Sequence, residues 1–131
     1  MSPLPIATAA AALPCPPDTV DEFLSQPSPE ATAVLARTSG PVLVLGAGGK
    51  LGLHLSLMLQ RSLASLGRAR DLLAVSRFTT LHDRSDFERR GIATQAGDLC
   101  APAELAALPD APTVFFLAGV KFGTASAPEL L

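Results

Sequence analysis

Apolar and polar positions in this chain fall into alternating blocks. Four short apolar runs, Val42 to Leu45, Asp71 to Ser76, Ile92 to Ala96 and Pro112 to Leu117, are separated by turn residues and by stretches of helical spacing. Runs of that length bounded by Gly and Pro read as buried strands. The longest helical stretch is Leu51 to Leu66. At about 100° per residue, Lys50, His54, Arg61, Ser65 and Arg68 fall within about 40° of one line. Gly52, Leu55, Leu59, Leu63 and Leu66 fall on the opposite face. The first set predicts a solvent-facing side, with His54 exposed, and the second a side that packs on the strands. Two shorter helices are expected at Asp83 to Arg90, stopped by Gly91, and at Pro102 to Leu108.

The first forty residues have a different texture. Residues 1–17 hold five prolines and many alanines and read as a disordered or extended leader. Residues 18–40 form a helical extension. Thr19 and Glu22 have capping-box spacing for a short helix to about Ser25. Ser28-Pro29-Glu30 then gives an N-cap and a proline at the first helical position, for a helix to about Thr38 with Gly40 as terminator. These helices are expected to cover an edge or an end of the sheet. From Pro41 onward, strands alternate with helices. That alternation implies right-handed crossovers and a parallel sheet in the order 3-2-1-4, an α/β, Rossmann-like arrangement with flanking helices. The fourth strand is apolar on both faces, so burial on both is expected. The chain ends at Leu131, soon after that strand. Its outer edge is left open, and pairing with another chain would fill it.

Composition narrows the picture. The chain has 131 residues, 48% of them hydrophobic, enough for one packed core. A net charge of −2 gives no bulk attraction to nucleic acid or a membrane surface. Residues 1–36 carry Asp18, Asp21, Glu22 and Glu30 and no Lys or Arg, which leaves the rest slightly basic. Cys15 and Cys100 form no C-x-x-C pair, so no metal site is read, and a reducing cytoplasm fits. No apolar run reaches the roughly 18 residues of a membrane span. The N-terminus lacks a basic start and is broken by Pro3, Pro5 and Pro14, which excludes a signal peptide.

The chemistry centres on Pro41 to Gly52, PVLVLGAGGKLG. Strand, glycine turn and helix in that order can cradle a pyrophosphate against backbone N–H groups at a helix N-terminus. Side chains on the turn would obstruct that approach. The spacing is G-x-x-G-x-x-G, with Gly46, Gly49 and Gly52 as its glycines and Gly48, Lys50 and Leu51 between them. Neither the G-x-G-x-x-G form nor a phosphate loop fits, because Leu51 and Val44 occupy required positions. The plainer alternative is a turn that only joins strand to helix.

Ligands of such sheets bind beyond the carboxyl ends of the strands. The second strand ends in Ser76-Arg77, where an acidic residue would hold the ribose hydroxyls of NAD. A guanidinium there can grip a 2′-phosphate, which favours NADP over NAD. The third ends in Gly97-Asp98-Leu99, where a carboxylate can accept from an adenine amino group or simply cap the next turn. The fourth ends in Leu117-Ala118-Gly119, small enough to let a ribose and nicotinamide pass. Lys121 follows and is a candidate to contact cofactor or substrate, whereas Thr124 and Ser126 have no assignable place.

On these motifs, residues 41–123 resemble the first half of the short-chain dehydrogenase/reductase superfamily, and within it the extended, NAD-dependent epimerase/dehydratase-like group. The T-G-x-x-G-x-x-G motif of that group matches Gly46, Gly49 and Gly52, with Leu45 in place of Thr. Its Asp-Leu/Val adenine motif matches Asp98-Leu99. Its V-x-H-L-A-A/G motif matches Val114, Leu117, Ala118 and Gly119, with Phe116 in place of His. The resemblance implies NAD(P) binding and hydride transfer at the nicotinamide. It also implies a Tyr-x-x-x-Lys acid/base pair beyond a fifth strand. This chain contains no tyrosine. The expectation is therefore the cofactor-binding portion of an oxidoreductase or epimerase/dehydratase-like enzyme, as an N-terminal part or a shortened reading frame. The alternatives are a non-catalytic dinucleotide sensor or scaffold, and an interaction domain with an empty cleft.

Overall fold

A computed structural model describes residues 19–79 and 81–119. The leader 1–17, Cys15, Lys121, Thr124 and Ser126 lie outside the described residues. The elements run α1 (Val20–Leu24), α2 (Pro29–Ala36), β1 (Val42–Leu45), α3 (Gly52–Ser65), β2 (Leu72–Ser76), α4 (Arg84–Glu88), β3 (Ala93–Ala96), α5 (Pro102–Ala106) and β4 (Thr113–Phe116). The four strands form one sheet in the order β3-β2-β1-β4, and every pairing is parallel. This is the Rossmann-like α/β fold that the alternation implied.

Right-handed crossovers explain which helix lies where. The chain steps from β1 to β2 to β3 in one direction, so α3 and α4 pack on the same face. Leu57, Leu59 and Leu63 of α3 and Phe87 of α4 share a core there with Val42, Val44, Leu72 and Ala74. The third crossover returns past β1 in the opposite direction, and its segment lies on the other face. There Leu99, Leu108 and Ala111 pack against Leu43, Leu45 and Val75. Strand order therefore reverses between β1 and β4, which is where such sheets open a crevice.

The helices begin and end for identifiable reasons. Ser28 Oγ accepts from the Ala31 N–H at 3.1 Å, and Pro29 takes the first helical position of α2. Helix α3 closes at Gly67, whose φ of +72° admits a Schellman-type end, with the Arg68 N–H donating to the Leu63 carbonyl at 2.7 Å. The capping box expected at Thr19 does not form, because Thr19 makes no side-chain cap bond. A full capping box appears instead at α4, between Asp83 and Asp86.

Two expectations are corrected. The N-terminal helices dock on α3. His54 is accordingly not a solvent-facing residue: its Nε2 lies 2.8 Å from Asp21 Oδ1 of α1. Asp21 also accepts from Arg90 at 3.1 Å, Arg61 donates to the Glu22 carbonyl, and the hydroxyls of Thr32 and Ser62 meet at 2.8 Å. A polar stripe satisfies a polar partner as readily as it satisfies water. Leu35 of α2 reaches past this polar contact into the core. The Arg68 guanidinium ties the same region together, donating to the carbonyls of Leu35 and Thr38 at 2.9 Å and of Gly40 at 3.2 Å, while its Nε bonds Asp71.

The second correction concerns β4. Thr113 and Phe115 are half-buried, but Val114 is 48% and Phe116 67% exposed, so the strand is not buried on both faces. Val114 and Phe116 register with Leu43 and Leu45 on β1, which are covered. The cover supplied by Leu99, Leu108 and Ala111 lies over β1 and β2 and stops short of β4.

Candidate functional site: the glycine turn and four strand ends

All four strands run the same way, so their carboxyl ends line one edge of the sheet. Leu45 registers with Val75 and Phe116, and Ser76 with Ala96. The predicted residues therefore come together in spatial order: Asp98 and Leu99, then Ser76 and Arg77, then the turn from Gly46 to Gly52, then Ala118 and Gly119. At about 4.8 Å per strand, this edge spans roughly 14 Å.

The turn is built on glycine for two separate reasons. Gly46 has φ +82°, and a Cβ there would sit 2.4 Å from the Ala118 backbone nitrogen. Its own N–H and that of Ala47 both donate to the Val75 carbonyl, at 2.8 and 3.0 Å. A Cβ on Gly48 would meet Ser76 Oγ at 2.7 Å, and one on Gly52 would meet the Ala47 carbonyl oxygen at 1.8 Å. Gly46 and Gly52 are required by the fold itself, and a side chain on Gly48 would displace the Ser76 hydroxyl and crowd the His82 carbonyl. The expectation that Gly52 sits on the buried side of its helix holds, although the surface it approaches is the turn at Ala47.

Gly49 is different. Its φ lies outside the left-handed region, and its nearest neighbour to an added Cβ is the Gly46 oxygen at 3.5 Å, an ordinary contact. Nothing in the described fold forbids a side chain there. Gly119 is likewise open, with no described residue within 4 Å of an added Cβ. A bare position that packing does not require is what the approach of a ligand to the backbone would require.

The N-terminus of α3 adjoins this turn without a cap. Leu51 holds the N-cap position, makes no side-chain cap bond and is 68% exposed, and the first turn contains no acidic residue. The helix-end N–H groups and their partial positive charge thus meet no protein anion from that turn. Lys50 is exposed beside them.

Beyond β2, Arg77 is exposed and makes no ion pair among the described residues. Ser76 is half-buried, and its Oγ accepts from the Phe78 N–H at 3.1 Å. Phe78 is a residue that the sequence did not single out. It has φ +54°, the one non-glycine residue with positive φ among those described. For an L-residue with a Cβ that conformation costs about 1–2 kcal/mol. The ring offsets this by burial, with 9% exposed, and by an edge contact to Phe87 at 5.5 Å between centroids. His82 was also missed. Its N–H donates to the Gly48 carbonyl at 3.2 Å, which fastens the segment after β2 to the turn. The i, i+4 spacing of His82 and Asp86, whose side chains lie 3.5 Å apart, was the available signal for it.

Beyond β3, the Gly97 N–H donates to the Ser76 carbonyl at 2.9 Å, which holds the two strand ends together. Asp98 Oδ1 accepts from the Cys100 N–H at 2.9 Å, so this carboxylate caps its turn, and its second oxygen remains available. Leu99 directs its side chain into the second core cluster. Leu99 can therefore offer a ligand only its backbone.

The fold and the glycine turn define a Rossmann-like unit whose strand order reverses between β1 and β4. No protein-family model, curated protein or solved structure matches this chain. Among the described residues, no helix is long and apolar enough to cross a membrane, and no group of His, Cys, Asp or Glu could hold a metal ion.

Proposed function

We propose that this chain binds a nicotinamide dinucleotide along the carboxyl edge of its sheet, with NADP favoured over NAD. The observation that carries the reading is Gly49. Three glycines of the turn are explained by packing, and the fourth is bare beside an uncapped helix N-terminus without structural need. A diphosphate is the chemistry that uses such a surface. On this reading Gly46, Gly48, Gly49, Lys50, Leu51 and Gly52 surround the diphosphate, chiefly through backbone. Ser76 and Arg77 take the adenosine ribose and its 2′-phosphate, Asp98 and the Leu99 backbone the adenine, and Ala118 and Gly119 the nicotinamide side. When bound, the nicotinamide supplies a hydride donor or acceptor.

The resemblance of the chain's motifs to the extended short-chain dehydrogenases supports reading it as the cofactor-binding portion of an oxidoreductase or epimerase/dehydratase-like enzyme. Because the chain has no tyrosine, its own contribution is cofactor binding. Among the described residues β4 is the outermost strand, and its edge with the outward Val114 and Phe116 makes self-association part of the same proposal. The direct test is titration of NADPH and NADH against the 131-residue chain, followed by calorimetry. Saturable binding of both, tighter for NADPH, is expected. Absence of binding at millimolar dinucleotide would end the reading.

A further inference from the structure

We infer that Phe78 is the positioning residue that makes Arg77 selective for a 2′-phosphate. This rests on the reading of the crevice given above and goes beyond it. Arg77 is exposed and, among the described residues, has no carboxylate or carbonyl to hold it. An unrestrained arginine would gain little from one anion, because ordering its long side chain costs entropy. Its backbone, however, is held on both sides. Ser76 precedes it at the end of β2, where its carbonyl accepts from Gly97 and its hydroxyl lies against Gly48. Phe78 follows it with φ +54°, a conformation no other described non-glycine residue adopts.

Three contacts hold that conformation. The Phe78 N–H donates to Ser76 Oγ at 3.1 Å, which closes a tight loop with Arg77 between donor and acceptor. The Phe78 ring is buried. It meets the edge of Phe87, itself fully buried in α4. The buried ring thus acts as an anchor, and Arg77 stands at the tip of the loop beside the glycine turn. Backbone strain at a binding site persists where the surroundings over-determine it, and here a core aromatic pair does so. The backbone from which the cation extends is fixed by its neighbour's packing, and among the described residues the guanidinium itself has no bond.

The test compares the ratio of NADH to NADPH dissociation constants in four full-length chains. The wild type is expected to show a ratio of about ten, the value of one charge-assisted contact. Arg77→Ser should bring the ratio near one. Phe78→Gly keeps access to positive φ but removes the anchor, and should lower the ratio toward that of Arg77→Ser with NADH affinity held within about twofold. Phe78→Leu keeps part of the buried volume and should fall between them. A merely structural role for Phe78 would weaken both dinucleotides together and leave the ratio alone. If Phe78→Gly does not fold, as read by circular dichroism, Phe78→Leu decides the matter. A wild-type ratio retained in the folded variant overturns this inference while leaving dinucleotide binding intact. Failure of the wild type to bind either dinucleotide overturns the underlying reading as well.

Discussion

Replacing Gly49 by alanine adds one methyl group to the turn between β1 and α3, at 3.5 Å from the Gly46 oxygen. Because that is an ordinary contact and φ is not in the left-handed region, the folded state should accept it. Glycine-to-alanine changes at compatible positions stabilise by about 0.4–1 kcal/mol through the unfolded chain. For a domain of this size that is a rise in Tm of roughly 2–6 °C. The effect on ligand has the opposite sign. A methyl group between a backbone N–H and a diphosphate oxygen removes a hydrogen bond to a charged group, worth about 1.5–3 kcal/mol. The dissociation constant for NADPH should rise by roughly 10- to 100-fold. Thermal denaturation by circular dichroism and calorimetric titration of the same preparation measure both. Gly52→Ala is the control: its Cβ would lie 1.8 Å from the Ala47 oxygen, so it should destabilise by more than about 1–3 kcal/mol through overpacking. Undiminished NADPH affinity in Gly49→Ala would refute the argument that this backbone is bare for a ligand. A Tm well below wild type would refute the packing half of it.

Other consequences can be checked independently. Ser56 on α3 is fully buried and its hydroxyl has no hydrogen-bond partner among the described residues, so Ser56→Ala should raise stability by about 1 kcal/mol in urea denaturation, and a loss would contradict the unpaired hydroxyl. The hydrogen bond from His54, then the charges of His54, Arg90 and His82, hold the Asp21 carboxyl below the usual aspartate range despite partial desolvation. A depressed folded value means that its contribution is complete above about pH 4 and is lost as pH falls through that lower value. A carboxyl NMR titration of Asp21 should show a midpoint below about 3.9, and one at or above it would remove the clamp between α1 and α3. Phe116→Ser should leave folding within about 0.5 kcal/mol, because the side chain is mostly exposed, while weakening concentration-dependent association in sedimentation. A wild type that is monomeric at every concentration would dismiss the β4 edge as a contact.

Much of the architecture was legible because each signal was local. Apolar runs between Gly and Pro gave the strands, and alternation with helices plus crossover handedness gave the order 3-2-1-4. The glycine spacing gave the turn. What escaped depends on neighbours distant in sequence. The wheel of α3 showed a polar face, but hydropathy cannot tell whether Asp21 or water will meet His54. Val114 and Phe116 read as core because a strand's own residues do not report how far the covering segment extends. Thr19 had the right spacing for a cap and Asp83 took that role instead, because a cap also needs the preceding backbone to be extended, as it is at Asp83 and not at Thr19. The positive φ of Phe78 had no signal at all, since phenylalanine is among the residues least suited to it.

The fourfold bonding of Arg68 bears on where this protein could be divided. Its guanidinium grips the tail of α2 and the approach to β1 at once, so the stretch around Gly40 is a seam under clamp. A recombinant piece starting at Pro41 would strip three carbonyl acceptors from a partly buried cation and pull Leu35 out of the hydrocarbon interior. The helices ahead of the sheet are thus masonry of the same wall, and excising them should yield a weaker protein in place of a tidier one.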